Sequence, residues 1–170
     1  LLNQARKQTE KIIDILYDRL EEKPNEKPIT QRIIAKKEYL KIAKKRRVTK
    51  KQRRKAIKKQ LQYINRNLGH IERLQTSGAK LEWLNNQQYK MLLVVATVYQ
   101  QQLSMYENKQ QRVDDRIVSL TQPHIRPIVR GKAGTPVEFG AKLSVSYHNG
   151  YVFIDRLNWD NFNESGDLKS

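Results

Sequence analysis

The chain has 170 residues and a formal net charge of +17, which costs self-repulsion in the compact state and points to a polyanionic partner. It contains no cysteine, so disulfides and thiolate metal sites are excluded. Its most apolar run, nine residues from Met91 to Tyr99, falls far short of the roughly 20 that a membrane span needs, and no membrane partner is expected. The charge is concentrated: residues 36–113 hold twenty Lys/Arg against four Asp/Glu, whereas 1–35 hold seven against six and 114–170 hold seven against seven.

In chain order, Leu2, Ala5, Ile12, Ile13, Leu16, Tyr17 and Leu20 recur near every 3.6 residues and predict an amphipathic helix over about 2–22. Pro24 and Pro28 break it. Thr30 is placed to cap a second helix, with Ile33, Ile34, Leu40, Ile42 and Ala43 on its apolar side. From Lys36 to Lys59 there are fourteen Lys/Arg and one acid, Glu38. Apolar spacing resumes at Ala56, Ile57, Leu61, Ile64, Leu68, Ile71 and Leu74, giving a helix over about 50–76 that Ser77 and Gly78 stop. Leu81, Leu84, Leu92, Val95, Tyr99 and Leu103 give another over about 80–107. The short turn between them predicts an antiparallel helical hairpin.

After about 112 the period falls from 3.6 to 2, and Pro and Gly become frequent. Phe139, Ala141, Leu143, Val145 and Tyr147 alternate with polar residues up to Asn149-Gly150, a strong hairpin signal because a type I′ turn needs positive φ at both positions. Tyr151, Phe153, Leu157 and Trp159 define the return strand, with Asp155 among them. The expected class is therefore α+β: a basic helical region over 1–112 with long antiparallel helices, then a segment over 113–170 carrying a β-hairpin at about 138–159.

The basic run is the strongest functional signal. Lys44, Lys45, Arg46, Arg47, Lys50, Lys51, Arg53, Arg54, Lys55, Lys58 and Lys59 are too dense for one helix face. Ordinary solvated surfaces mix signs, and this one has almost no acids, so contact with nucleic-acid phosphates is the favoured reading. The run carries no base-reading pattern. In the loop and strand RGKAGTPVEFGAK, Arg130 and Lys132 flank a glycine, and Gly134 lets a backbone approach closely. Lone loop glycines more often serve a turn. Glu138 and Lys142 share a strand face, most simply as a surface pair. Arg130, Lys132 and Lys142 complete the candidate DNA-binding set.

His124 and His148 lack ligand-spaced neighbours and read as surface or packing residues. Asp114-Asp115 reads as a helix end or turn. Asp155, Asp160, Glu164 and Asp167 raise the question of a two-metal site, which needs carboxylates converging within a few ångström; capping accounts for Asp160 equally well. No phosphate-cradling loop, nucleophile elbow or zinc-protease motif is present.

The stretch DRIVSLTQPHIRPIVRGKAGTPVEFGAKLSVSYHNGYVFIDRLNWDNFNESGDL, Asp115 to Leu168, resembles the central part of bacterial insertion-sequence transposases with an RNase H-like DDE domain. PVEFGAK, the following hairpin and NWDNFNESGDL are its specific parts. The opening LLNQARKQTEKIIDILY resembles the family's segment after its first catalytic strand, and the basic middle matches less closely. The resemblance implies an internal piece of a DNA-transposing enzyme, cytoplasmic and nucleoid-associated, that binds transposon ends and target DNA; a homo-oligomer is open to the complete protein, and the sequence does not give the oligomeric state. Three carboxylates would hold two divalent ions, usually Mg²⁺, in the complete enzyme. By the family's pattern they are expected upstream of Leu1 and downstream of Ser170, so no catalytic or metal residue is assigned within the chain. Asp155 and Asp167 match positions that are not metal ligands. The resemblance also implies that the helices are an insertion between the first strand of an RNase H-like sheet and the hairpin. Two other readings stand beside it: a non-enzymatic RNA- or DNA-binding helical protein, and an interaction module whose long helices pair with a partner.

Overall fold

The computed structural model describes residues 1–24, 26–129, 137–159 and 162, in two units, 1–114 and 115–170. The class is α+β. The first unit holds four helices: α1 (Leu2–Asp18), α2 (Arg32–Ala43), α3 (Lys50–Thr76) and α4 (Asn86–Glu107), with a 3₁₀ turn at Leu81–Trp83. Among the described residues the second holds four strands in two antiparallel pairs: β1 (Pro127–Val129) with β2 (Val137–Phe139), and β3 (Lys142–His148) with β4 (Tyr151–Asn158).

The core of the first unit forms where α1 meets α3 and α4. Ile12, Ile13 and Leu16 of α1 bury against Ile71 and Leu74 of α3 and Leu92 of α4, with Leu84 closing one end. The main partner of α3 is α1, and α4 packs on both. To the expected contact between α3 and α4 the structure adds α1 as the larger partner of both. The reason is chemical: α1 supplies the densest apolar face, and both longer helices bury their stripes against it.

Helix α1 stops at Asp18, short of the expected 22. Asp18, Glu21 and Glu22 crowd its C-terminal end, where the helix dipole disfavours negative charge, and Pro24 pushes the residue before it out of helical geometry. The linker folds back. Tyr17 donates its hydroxyl to the Pro24 carbonyl (3.4 Å), and Lys27 pairs with Asp14 at 3.1 Å. Arg32 grips the same carboxylate with both guanidinium nitrogens, each at 2.9 Å. Partial burial pushes the Asp14 carboxyl up, but Arg32 and Lys27 outweigh it and hold it below its ordinary range.

Helix α2 departs furthest from expectation. Thr30 does not cap it: Gln31 occupies that position in a left-handed conformation (φ 52) with no side-chain cap, and buried Thr30 accepts from Arg32 Nε at 3.1 Å. Ile33 and Ile34 are 81% and 52% exposed, and Ala35 alone is buried. The apolar residues of α2 point in several directions. Its packing side is set by Ala35 and Glu38, which meet Gln60, Lys59 and Tyr63 of α3.

Helix α3 is bounded by local chemistry at both ends. Thr49 and Gln52 form a capping box, with Thr49 Oγ1 accepting from Gln52 N at 3.2 Å and Gln52 Oε1 from Thr49 N at 3.3 Å. At the other end Gly78 (φ +100) allows Ala79 N to reach Leu74 O and Gly78 N to reach Gln75 O, the two bonds of a Schellman stop. Thr49→Ala is expected to lower stability by about 1 kcal/mol, read from the urea midpoint. Helix α4 begins at Asn86 and not at 80, because Asn85 and Gln88 form a second capping box after the 3₁₀ turn. Arg19 donates to the Trp83 carbonyl and fastens that turn to the end of α1.

In the second unit the Asn149-Gly150 turn has φ 50 and 88, as type I′ requires. A bulge corrects the expected alternation of the return strand. Ser144 lies opposite Arg156 and Val145 opposite Ile154, so Asp155 is the extra residue, and the facing set changes side there. The apolar face consequently pairs Leu143 with Leu157, Val145 with Ile154 and Tyr147 with Val152; Tyr151 and Phe153 share the other face with His148 and Ser146. The six apolar side chains are 47% to 73% exposed. Ile117 and Leu120 are buried without forming a strand. Asp115 sits in a turn (φ 51), with Arg126 Nε 3.5 Å from its carboxylate.

Candidate nucleic-acid interface

From Tyr39 to Ile71 there is no acidic residue, while thirteen Lys/Arg fall within it. The fold spreads most of these cations over the α2–α3 connection and the first half of α3. Lys44, Lys45, Arg46, Arg47, Lys50, Lys51, Arg53, Lys55 and Lys58 are all exposed. The first turn of α3 contains cations and no acid. Positive charge is unfavourable there, because the helix N-terminus already carries the positive end of the dipole. The arrangement therefore adds to self-repulsion, which an anion at this end relieves.

Two cations of α3 within the candidate set, Arg54 and Lys59, have structural partners. The Arg54 guanidinium lies 4.0 Å from the centre of the Tyr106 ring and ties α3 to α4. Lys59 pairs with Glu38, which also accepts from Tyr63 Oη at 2.8 Å. Burial raises the Glu38 carboxyl, but the bonds from Lys59 and Tyr63 prevail, and it stays below its usual range as a carboxylate. Both cations are half-buried. Neither role was legible from composition, since Tyr106 is 52 residues from Arg54 and Glu38 is 21 from Lys59. The solitary position of Glu38 in the run was the one available signal.

Arg130 and Lys132 lie outside the described residues. Lys142, in the second unit, donates to the Phe162 carbonyl and sits 4.7 Å from the Phe162 ring centre, with Arg156 4.3 Å from the same ring. His124 packs edge-on against Trp159 with centroids 4.5 Å apart.

Among the described residues no three His, Asp or Glu side chains converge to hold a metal ion, so none is assigned to the divalent ions that the resemblance implies. Asp155 accepts from Ser146 Oγ at 2.8 Å; Asp160, Glu164 and Asp167 lie outside the described residues. A cavity of about 280 Å³ between α1 and the start of α4 is lined by Gln8, Lys11, Ile12, Asn85, Gln88 and Met91 among others, without a carboxylate, hydroxyl or imidazole. It offers no acid–base pair.

His70, on α3, is bonded as a neutral ring: Nε2 lies 3.3 Å from the Ile29 carbonyl, and Nδ1 faces Arg73 Nη2 at 2.8 Å. Burial, then the charge of Arg73, lowers its pKa from 6.5, against the opposing Ile29 carbonyl. The unfolded chain thus binds a proton at His70 more readily than the folded one. This contribution is whole above about pH 6.5 and is lost as pH falls through that value toward the lower folded pKa. The urea midpoint is expected to drop between pH 7.5 and 5.5, with a smaller drop in His70→Gln.

No protein-family model, curated protein or solved structure matches the chain. Among the described residues no helix is long and apolar enough to cross a membrane.

Proposed function

We propose that the chain is a DNA-binding segment of a DDE-type transposase, and that residues 44–58 lie against the phosphates of transposon or target DNA. The observation that carries this reading is the set of nine exposed cations on one connection and helix start, inside a stretch without an acid. Displacing condensed counterions gives such a surface its affinity. Glu38 and Tyr106 support the arm by fixing Lys59 and Arg54, so α3 presents its charges on a packed helix. The exposed apolar face of the β3–β4 hairpin supports reading it as part of a wider, RNase H-like sheet, since strands in such a sheet bury one face. On this reading strand cleavage and transfer, with Mg²⁺, belong to carboxylates beyond those described, and this segment contributes binding.

The test is a titration of the chain against duplex DNA and against structured RNA at matched salt. Micromolar or tighter duplex binding at 50 mM salt, falling by roughly 10³ at 200 mM for about six phosphate contacts, is expected. A large preference for structured RNA would instead favour a non-enzymatic RNA-binding protein.

A further inference from the structure

The interior of α3 contains a glycine that the fold does not explain. Gly69 is seven residues from the end of a 27-residue helix, where glycine is destabilising relative to alanine. A Cβ built there meets nothing within 4 Å, so no packed neighbour demands its absence. The position falls in a row of cations. Lys51, Lys55, Lys58, Arg66, Gly69 and Arg73, with Gln62 between Lys58 and Arg66, follow the helical period along one side of α3, where Arg66 and Gly69 are half-buried and the others exposed, opposite the buried Ile64, Ile71 and Leu74. No acid belongs to that row; Glu72 stands beside it. Two of its arginines are oriented: Arg66 lies 5.2 Å from the Tyr63 ring centre, and Arg73 is held on His70. Each guanidinium keeps donors for a phosphate. From Lys51 to Arg73 the row runs about 33 Å, close to one turn of a DNA duplex, about 34 Å.

We infer that the solvent face of α3 is a track for a duplex DNA backbone extending from Lys51 to Arg73, and that Gly69 is where the sugar–phosphate chain comes closest to the helix. The inference rests on the DNA-binding reading and adds the second half of α3 to it. With no Cβ at Gly69, a phosphate group flanked by Arg66 and Arg73 settles against the helix backbone. Contacts of this kind fix position on the duplex and carry no base sequence.

The test is binding of a mixed-sequence 20-base-pair duplex to the full chain, followed by anisotropy, beside thermal unfolding. Gly69→Ala is expected to raise the thermal midpoint by roughly 2–4 °C while weakening binding about 3-fold. Gly69→Leu is expected to weaken it more than 10-fold with the helical circular dichroism retained. Arg73→Gln is expected to reduce the slope of log affinity against log salt by about one. A folded Gly69→Leu chain that binds as tightly as the parent overturns the inference and leaves the basic-arm reading standing. A parent chain that does not bind duplex at low salt overturns both. Two other results reassign the face: a Leu variant that abolishes a chain dimer at unchanged DNA affinity gives it to a second copy, and one that weakens only structured-RNA binding removes the duplex.

Discussion

Replacing Lys50, Lys51, Arg53 and Lys55 together with glutamine is expected to weaken duplex DNA binding by roughly 10²–10³ at about 0.1 M salt, because each lost phosphate contact removes close to one counterion release. These four side chains are exposed, so the fold does not depend on them. Glutamine is a good helix former, and removing four like charges from the N-terminal end of α3 relieves an unfavourable interaction with its dipole. Thermal stability is therefore expected to stay level or rise while affinity collapses. Had the cations been a solvated surface only, affinity for a duplex would change little.

The second large effect concerns stability. Arg6 and Glu10 are 1% and 6% exposed, inside the helical unit. The Arg6 guanidinium bonds Glu10 and reaches Asn3 Oδ1 at 2.9 Å. Beside it Thr9 donates to the Arg6 carbonyl at 2.7 Å and accepts from Asn67 Nδ2 of α3 at 2.9 Å. The α1–α3 contact thus changes from apolar at Ile13 and Leu16 to polar toward the N-terminal end of α1. Arg6→Ala strands a buried carboxylate and is expected to cost about 3–5 kcal/mol, measured by urea unfolding. Replacing both members, Arg6→Met with Glu10→Leu, removes the charge and the desolvation together and is expected to leave stability level or higher. An Arg6→Ala chain as stable as the parent would show that this pair is not shielded from water.

That pair also shows where sequence reading stopped. An Arg and a Glu four apart on a helix look like a solvent pair, and nothing local says that α3 covers them. Features written within a few residues were legible: the Ser77-Gly78 stop, the Asn149-Gly150 turn and the change of period after 112. Those decided by distant partners were not. Helix α2 faces α3 through Ala35 and Glu38, so counting its isoleucines chose the wrong side. The extra residue at Asp155 reverses the facing set of β4, and alternation cannot reveal it. The candidate interface was legible in outline because charge density is compositional; the diversion of Arg54 to Tyr106 and of Lys59 to Glu38 was not, because both are tertiary contacts.

The most direct test of the account is backbone amide mapping of the chain by NMR during titration with duplex DNA. Perturbations that are largest at residues 44–58, continue along the exposed side of α3 and reverse on adding salt are predicted. Shifts confined to residues 115–159, with the arm unmoved at saturating duplex, would contradict it.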